Sequence, residues 1–139
     1  MADAEAVGRG LAERGAIVVC GGRGGVMAAA AKGAAEAGGV VIGMLPGLGR
    51  SDANRWVTYS IPTGLGELRN GLIVRTAEAV VAVGGAYGTL SEIALALHAG
   101  LRVFGLHTWE IDGIAPVDSP EAAVMAALEA AGRRRSRPA

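Results

Sequence analysis

The chain has 139 residues and a formal net charge of zero, enough for one domain with a real core and a poor match to a general nucleic-acid or membrane-surface binder. Hydrophobic residues make up 51% and aromatics only 4%, so Ala, Val, Leu and Ile must do the packing. The single cysteine, Cys20, excludes an internal disulfide framework and fits a reducing, cytoplasmic setting.

From the N-terminus, residues 4–14 carry helix formers with Val7 and Leu11 at helical spacing, and Gly15 stops them. The acidic start has no apolar stretch of the kind a signal peptide needs, and Lys32 and Glu36 interrupt the best candidate for a membrane span. Residues 16–20 read as a strand apolar on both faces, with Cys20 as an ordinary buried member. A glycine cluster, residues 21–25, leads into an alanine-rich helix over 26–37 that Gly38 and Gly39 close. Residues 40–45 form the next buried strand, stopped by Pro46 and Gly47. A polar connection over 48–56 follows, then a short strand over 57–60 with a turn at Pro62.

The second half repeats the plan. A helix is expected over 66–76, a strand over 79–83, glycine-rich residues 84–88, and a helix over 89–99 that Gly100 stops. Residues 102–106 read as the last strand. Ser119 and Pro120 are the cap and first position of a final helix ending near Gly132. Domain organisation is then one domain over 1–132 and a basic, disordered and solvated tail over 133–139 with no nucleic-acid role. Apolar strands alternating with helices mean an α/β, Rossmann-like open parallel sheet with helices on both faces.

Two segments, 17–37 and 80–99, share the order strand, glycine cluster, helix. In open α/β sheets ligands sit outside the carboxyl ends of strands, where helix N-termini offer free N–H groups to anions. Gly22, Gly24 and Gly25 in the first cluster, and Gly84, Gly85 and Gly88 in the second, let backbone approach phosphate oxygens without a Cβ in the way. A tight structural turn is the competing reading of one such loop; two matched loops favour a phosphorylated small-molecule ligand. Arg23 can close over an anion or sit in solvent. The first loop lacks the Gly-Lys-Ser/Thr of a P-loop, and Met27 stands where the dinucleotide fingerprint needs a third glycine. The next strand ends without an acid for a ribose hydroxyl, so NAD is not expected. His98 and His107 lack metal-ligand spacing, and no metal is expected.

The run Gly84-Gly85-Ala86-Tyr87-Gly88-Thr89-Leu90-Ser91-Glu92 resembles the Pro-Gly-Gly-x-Gly-Thr-x-x-Glu motif of the Lonely Guy (LOG) family, long described as lysine decarboxylase-like. The resemblance extends to Arg69-Asn70, near the family's Arg-Lys pair, and to residues 21–27, similar to its first glycine loop. It implies a Rossmann-like, usually dimeric protein that either carries a phosphorylated ligand or cleaves nucleoside 5′-monophosphates to base and ribose 5-phosphate. Gly84 replaces the motif's Pro, Ala86 a Gly, and Asn70 the usual Lys. With Thr108-Trp109-Glu110, these features look more like the branch of molybdenum cofactor carriers, which bind a pterin phosphate without turning it over. The resemblance thus implies a carrier with no required cofactor, its bound ligand a molybdenum cofactor or a nucleotide. It gives Glu92 a role in activating water or stabilising a sugar cation, and Arg69 and Thr89 roles on phosphate. The competing readings are a first-turn carboxylate, a surface salt bridge and a helix cap. Family members begin with a strand, so the first strand is expected to be missing here. A homodimer or higher homo-oligomer is expected, with Val74, Ile93 and Leu97 either at that interface or facing the sheet.

Overall fold

The computed structural model describes residues 1–135. The chain opens with α1 (Ala2–Glu13) and continues through β1 (Val18–Cys20), α2 (Val26–Glu36) and β2 (Val41–Leu45). A 3-10 turn (Arg50–Asp52) interrupts the polar connection before β3 (Tyr59–Pro62). A second 3-10 turn (Gly66–Leu68) runs into α3 (Arg69–Thr76), followed by β4 (Val80–Val83) and α4 (Tyr87–His98). The chain then forms β5 (Val103–Leu106), β6 (Ile114–Pro116) and α5 (Pro120–Arg135).

All strand pairs are parallel, in two three-stranded sheets ordered β1-β2-β3 and β4-β5-β6. The α/β class expected from alternation is therefore the class observed. Helices α3 and α4 cover one face of the second sheet through Val74, Ile93 and Ala96, while α1 and α5 cover the other through Val7, Ala123 and Val124. Helix α2 packs on the first sheet through Ala31 and Ala34. Small residues let helices approach closely: a Cβ on Gly8 would stand 2.0 Å from the Ala30 carbonyl oxygen, and one on Gly33 2.0 Å from that of Glu5. Backbone therefore meets backbone where α1 crosses α2.

Several boundaries differ from those read in the sequence. β3 lies later, and Pro62 is its last residue rather than a turn. An edge strand tolerates a proline, which has no N–H to donate. β6 follows the strand expected to be last; three residues ending in proline carry no periodic signal. Helix α5 runs to Arg135, so residues 133–135 of the expected tail are helical. Arg133 pairs with Glu129 one turn back, Arg135 pairs with Glu78, and cations suit a helix carboxyl end. Residues 136–139 of that tail lie outside the described residues. The Ser119 cap is present, its Oγ accepting from Ala122 N at 3.1 Å.

Of the two readings of Val74, Ile93 and Leu97, the structure supports the one that faces the sheet. Val74 is 2% exposed and Ile93 fully buried, because both face the second sheet rather than solvent. Leu97 is partly buried against the same cluster. Exposed large apolar side chains on and just before α3 and α4 include Leu68, Leu72, Tyr87 and Leu95. Among the described residues no helix is long and apolar enough to cross a membrane.

Candidate functional site

A cleft of about 980 Å³ runs along β1 and β4 from their amino to their carboxyl ends, and both glycine loops line its carboxyl end. The first loop connects β1 to α2. Gly25 is the N-cap of α2 and no side chain caps the helix, so its first amides have no intrahelical acceptor. The loop is held from outside. Asn54 Nδ2 donates to the Arg23 carbonyl at 2.8 Å, and Asn54 N donates to the Gly22 carbonyl at 2.8 Å. The Asn54 Oδ1 accepts from Trp56 N at 2.9 Å, closing a turn that fixes the amide. Arg23 itself is exposed at the lip of the cleft.

The second loop is shorter than the glycine pattern suggests. Helix α4 already begins at Tyr87, with Ala86 as N-cap, so Gly88 and Thr89 lie in its first turn. Thr89 is too far along to cap the helix, and no side-chain cap bond forms. The amides of Ala86, Tyr87, Gly88 and Thr89 precede the first intrahelical donor, Leu90 N, which bonds to the Ala86 carbonyl. Gly84 has φ +82°, the left-handed region that only glycine enters cheaply. Thr108 Oγ1 donates to the Gly84 carbonyl, and Trp109 Nε1 donates to that of Ala86 at 3.3 Å. Trp109 also stacks on Tyr87 with ring centroids 6.2 Å apart. Trp109 therefore braces the loop from behind instead of lining the cleft.

Between the loops sits a polar cluster. Arg69, at the start of α3, is only 7% exposed, so it is not a surface ion-pairing residue. Its Nε donates to the Met44 carbonyl at 2.9 Å, and its Nη1 donates to Asn70 Oδ1 at 2.5 Å. Asn70 Nδ2 in turn donates to Ser91 Oγ at 3.4 Å. A lysine at position 70 would have no acceptor for Arg69 and would repel it, so asparagine makes a different local wiring. Glu92 lies one turn beyond Thr89 on α4, and both line the cleft. Burial pushes the Glu92 carboxyl above the usual glutamate range, and Arg69 nearby partly opposes that rise. Burial likewise pushes the Cys20 thiol up, with the Glu92 charge adding to it and a backbone bond to Gly22 and Arg69 opposing.

The structure thus brings Gly24, Gly25, Gly84, Gly85, Gly88, Thr89, Arg69 and Glu92 to one cleft, with Arg23 at its edge. Gly22 is separate: it packs against Leu45 and Gly43 behind the loop. Sequence reasoning missed Asn54, Asn70 as an acceptor, and Thr108 as a loop anchor. The one local signal for Asn54 was its place in a polar connection, where Asx turns are common. Among the described residues no three His, Cys, Asp or Glu side chains converge as metal ligands would.

A family model described as the SLOG cluster4 family matches residues 1–131. An uncharacterized protein of Archaeoglobus fulgidus is 44% identical over 119 residues, 85% of this chain and 78% of its own length. The molybdenum cofactor binding protein of the phototrophic bacterium Rippkaea orientalis superposes with a TM-score of 0.86 at 32% identity, covering 91% of this chain and 85% of that one. A Moco carrier protein from Chlamydomonas reinhardtii gives 0.83 at 34% identity, with 94% and 86% covered.

Proposed function

The chain belongs to the SLOG cluster4 family, and from that premise we propose that it is a carrier that holds a molybdopterin-type cofactor or nucleotide by its phosphate. The observation that carries this reading is the space over the second loop: a Cβ built on Gly85 or Gly88 meets no atom within 4 Å. The four amides that precede the first intrahelical donor belong to the same loop and helix start, and an anion there would meet donors that the helix leaves unused. Gly24 and Gly25 offer the same free space across the cleft. Arg69 supplies a fixed positive charge between the loops, already oriented by Met44 and Asn70. The two carrier or binding proteins among the structural neighbours support the ligand class. In this reading the cofactor is cargo, and the chain acts in the cytoplasm as a homodimer associating through Leu68, Leu72 and Leu95.

One observation favours the second reading, a phosphoribohydrolase. A half-buried Glu92 whose pKa is raised by burial keeps its proton to higher pH than an ordinary glutamate and can deliver it to a departing base. The two readings separate in one assay, release of ribose 5-phosphate from purine monophosphates by the parent and by Glu92→Gln. A carrier gives little release from either protein. Robust release that falls by a factor on the order of 100 to 10,000 in Glu92→Gln replaces the carrier with the hydrolase. Mass spectrometry of the molecule that copurifies then distinguishes pterin from nucleotide.

A further inference from the structure

The second loop is held from one side by a short strap, His107-Thr108-Trp109, that leaves the carboxyl end of β5. His107 has φ +51°, the one non-glycine residue in the left-handed region among the described residues. That conformation strains an L-residue and persists only where its surroundings hold it. The strap brings Thr108 back over β5, where a Cβ on Gly105 would stand 2.7 Å from Thr108 Cγ2. Glycine inside a fully buried strand weakens it, and here the missing side chain is the space that Thr108 occupies. From that position Thr108 Oγ1 donates to the Gly84 carbonyl, and Trp109 Nε1 donates to the Ala86 carbonyl.

Fixing a carbonyl fixes the amide that shares its peptide plane, because in a trans peptide the N–H points opposite the C=O. Thr108 therefore sets the direction of the Gly85 N–H, and Trp109 that of the Tyr87 N–H, both away from the strap. The strap residues do not line the cleft, whereas Gly85, Ala86 and Gly88 do. Among the described residues the Gly85 N–H has no hydrogen-bond acceptor in the protein. A bond accepted by the carbonyl also polarises the peptide and makes its N–H a stronger donor. The two anchors differ in weight. The Ala86 carbonyl is already held by Leu90 N at 3.1 Å, so Trp109 is its second donor. The Gly84 carbonyl takes Thr108, and Gly84, at φ +82°, carries no Cβ to keep its peptide from turning once that bond is lost.

We propose that Thr108 and Trp109 are positioning residues for the phosphate loop: their bonds to the Gly84 and Ala86 carbonyls aim the Gly85 and Tyr87 amides at the anion, although neither side chain touches it. The inference rests on the phosphate reading of the second loop and extends it by assigning affinity to residues outside the cleft. The test measures calorimetric binding of guanosine 5′-monophosphate, and amide NMR shifts on adding inorganic phosphate, in the parent, Thr108→Val, Thr108→Ser and Trp109→Phe. Thr108→Val keeps the shape and loses the hydroxyl. Its affinity is expected to fall on the order of tenfold, about what one hydrogen bond to a charged acceptor supplies, and the phosphate-induced shift of Gly85 to shrink. Thr108→Ser keeps the hydroxyl and should restore both. Trp109→Phe keeps a ring against Tyr87 but loses the N–H, and should cost only about two- to threefold, with the change centred on the Tyr87 amide. Thr108→Val that binds as the parent does overturns the proposal and leaves the phosphate reading standing. So does Thr108→Ser that binds as weakly as Thr108→Val, because packing over β5 would then carry the effect. If Thr108→Val does not fold, Trp109→Phe decides, and an unaltered Tyr87 response overturns the proposal. A parent that binds neither probe overturns the phosphate reading and the proposal together.

Discussion

The two glycine loops look alike in sequence and are built on different grounds. In the first, a Cβ on Gly21 would lie 2.4 Å from Met27 Sδ and 2.8 Å from Arg69 Nη2. One on Gly22 would lie 2.9 Å from Leu45 Cδ2 and 3.2 Å from Gly43 Cα, and Gly22 has φ +78°. These glycines are demanded by the protein's own packing. In the second loop Gly85 and Gly88 touch nothing that a methyl group would displace. No packing contact in the fold requires a glycine there, which is what supports placing the proposed phosphate over this loop. A glycine that costs helix stability in a first turn and relieves no clash is a better pointer to a binding site than one wedged behind a strand.

The comparison breaks first at Gly22. Gly22→Ala combines a left-handed backbone with a crowded neighbour, and we expect a loss of about 3 kcal/mol in urea unfolding. Near-normal stability would mean that the first loop is as free as the second. Next is Gly88→Val, which should leave stability within about 0.5 kcal/mol of the parent yet weaken calorimetric binding of a nucleoside monophosphate at least about tenfold. Equal affinity would move the anion elsewhere. Asn54→Ala removes the clamp on the Arg23 carbonyl and should cost about 1 kcal/mol, with faster exchange confined to the first loop. An effect spreading to the amides after Gly84 would deny that the loops are held separately.

The smallest effect is one of sign. Glu92 has its pKa raised in the folded protein, so the native state holds the proton more tightly than the unfolded chain. Its ionisation costs nothing below the ordinary glutamate pKa and destabilises as pH rises through the raised folded value. Glu92→Gln should therefore gain stability relative to the parent at neutral pH and lose that advantage near pH 4, by thermal melts at both. A parent that is relatively more stable at neutral pH than the variant would reverse the sign and imply a carboxylate held ionised.

Alternation of apolar runs with Gly-terminated helices was legible because each element repeats a local pattern: Val41 to Leu45 has no polar residue, and Ser119-Pro120 announces α5. The glycine loops and the Thr89–Glu92 pair were legible for the same reason, being contiguous. The network that joins buried Arg69 and Asn70 to exposed Ser91 was not, since its members lie on two helices and Asn70 bonds to Ser91 across 21 residues. Nor was the burial of Val74 and Ile93, which depends on which side of α3 and α4 faces the sheet. β6 escaped because an edge strand of three residues is defined by its pairing with β5, not by its own composition.

The contact between α1 and α2 has a consequence for motion. Backbone against backbone at Gly8 and Gly33 leaves no rotamer to adjust, so the helices have one relative setting and travel as a single lever. One end of that lever is Asp3, tied to the turn after β5; the other is Gly25, at the mouth of the first loop. The placing of the first loop against α1 is therefore set by a joint with no side chain in it.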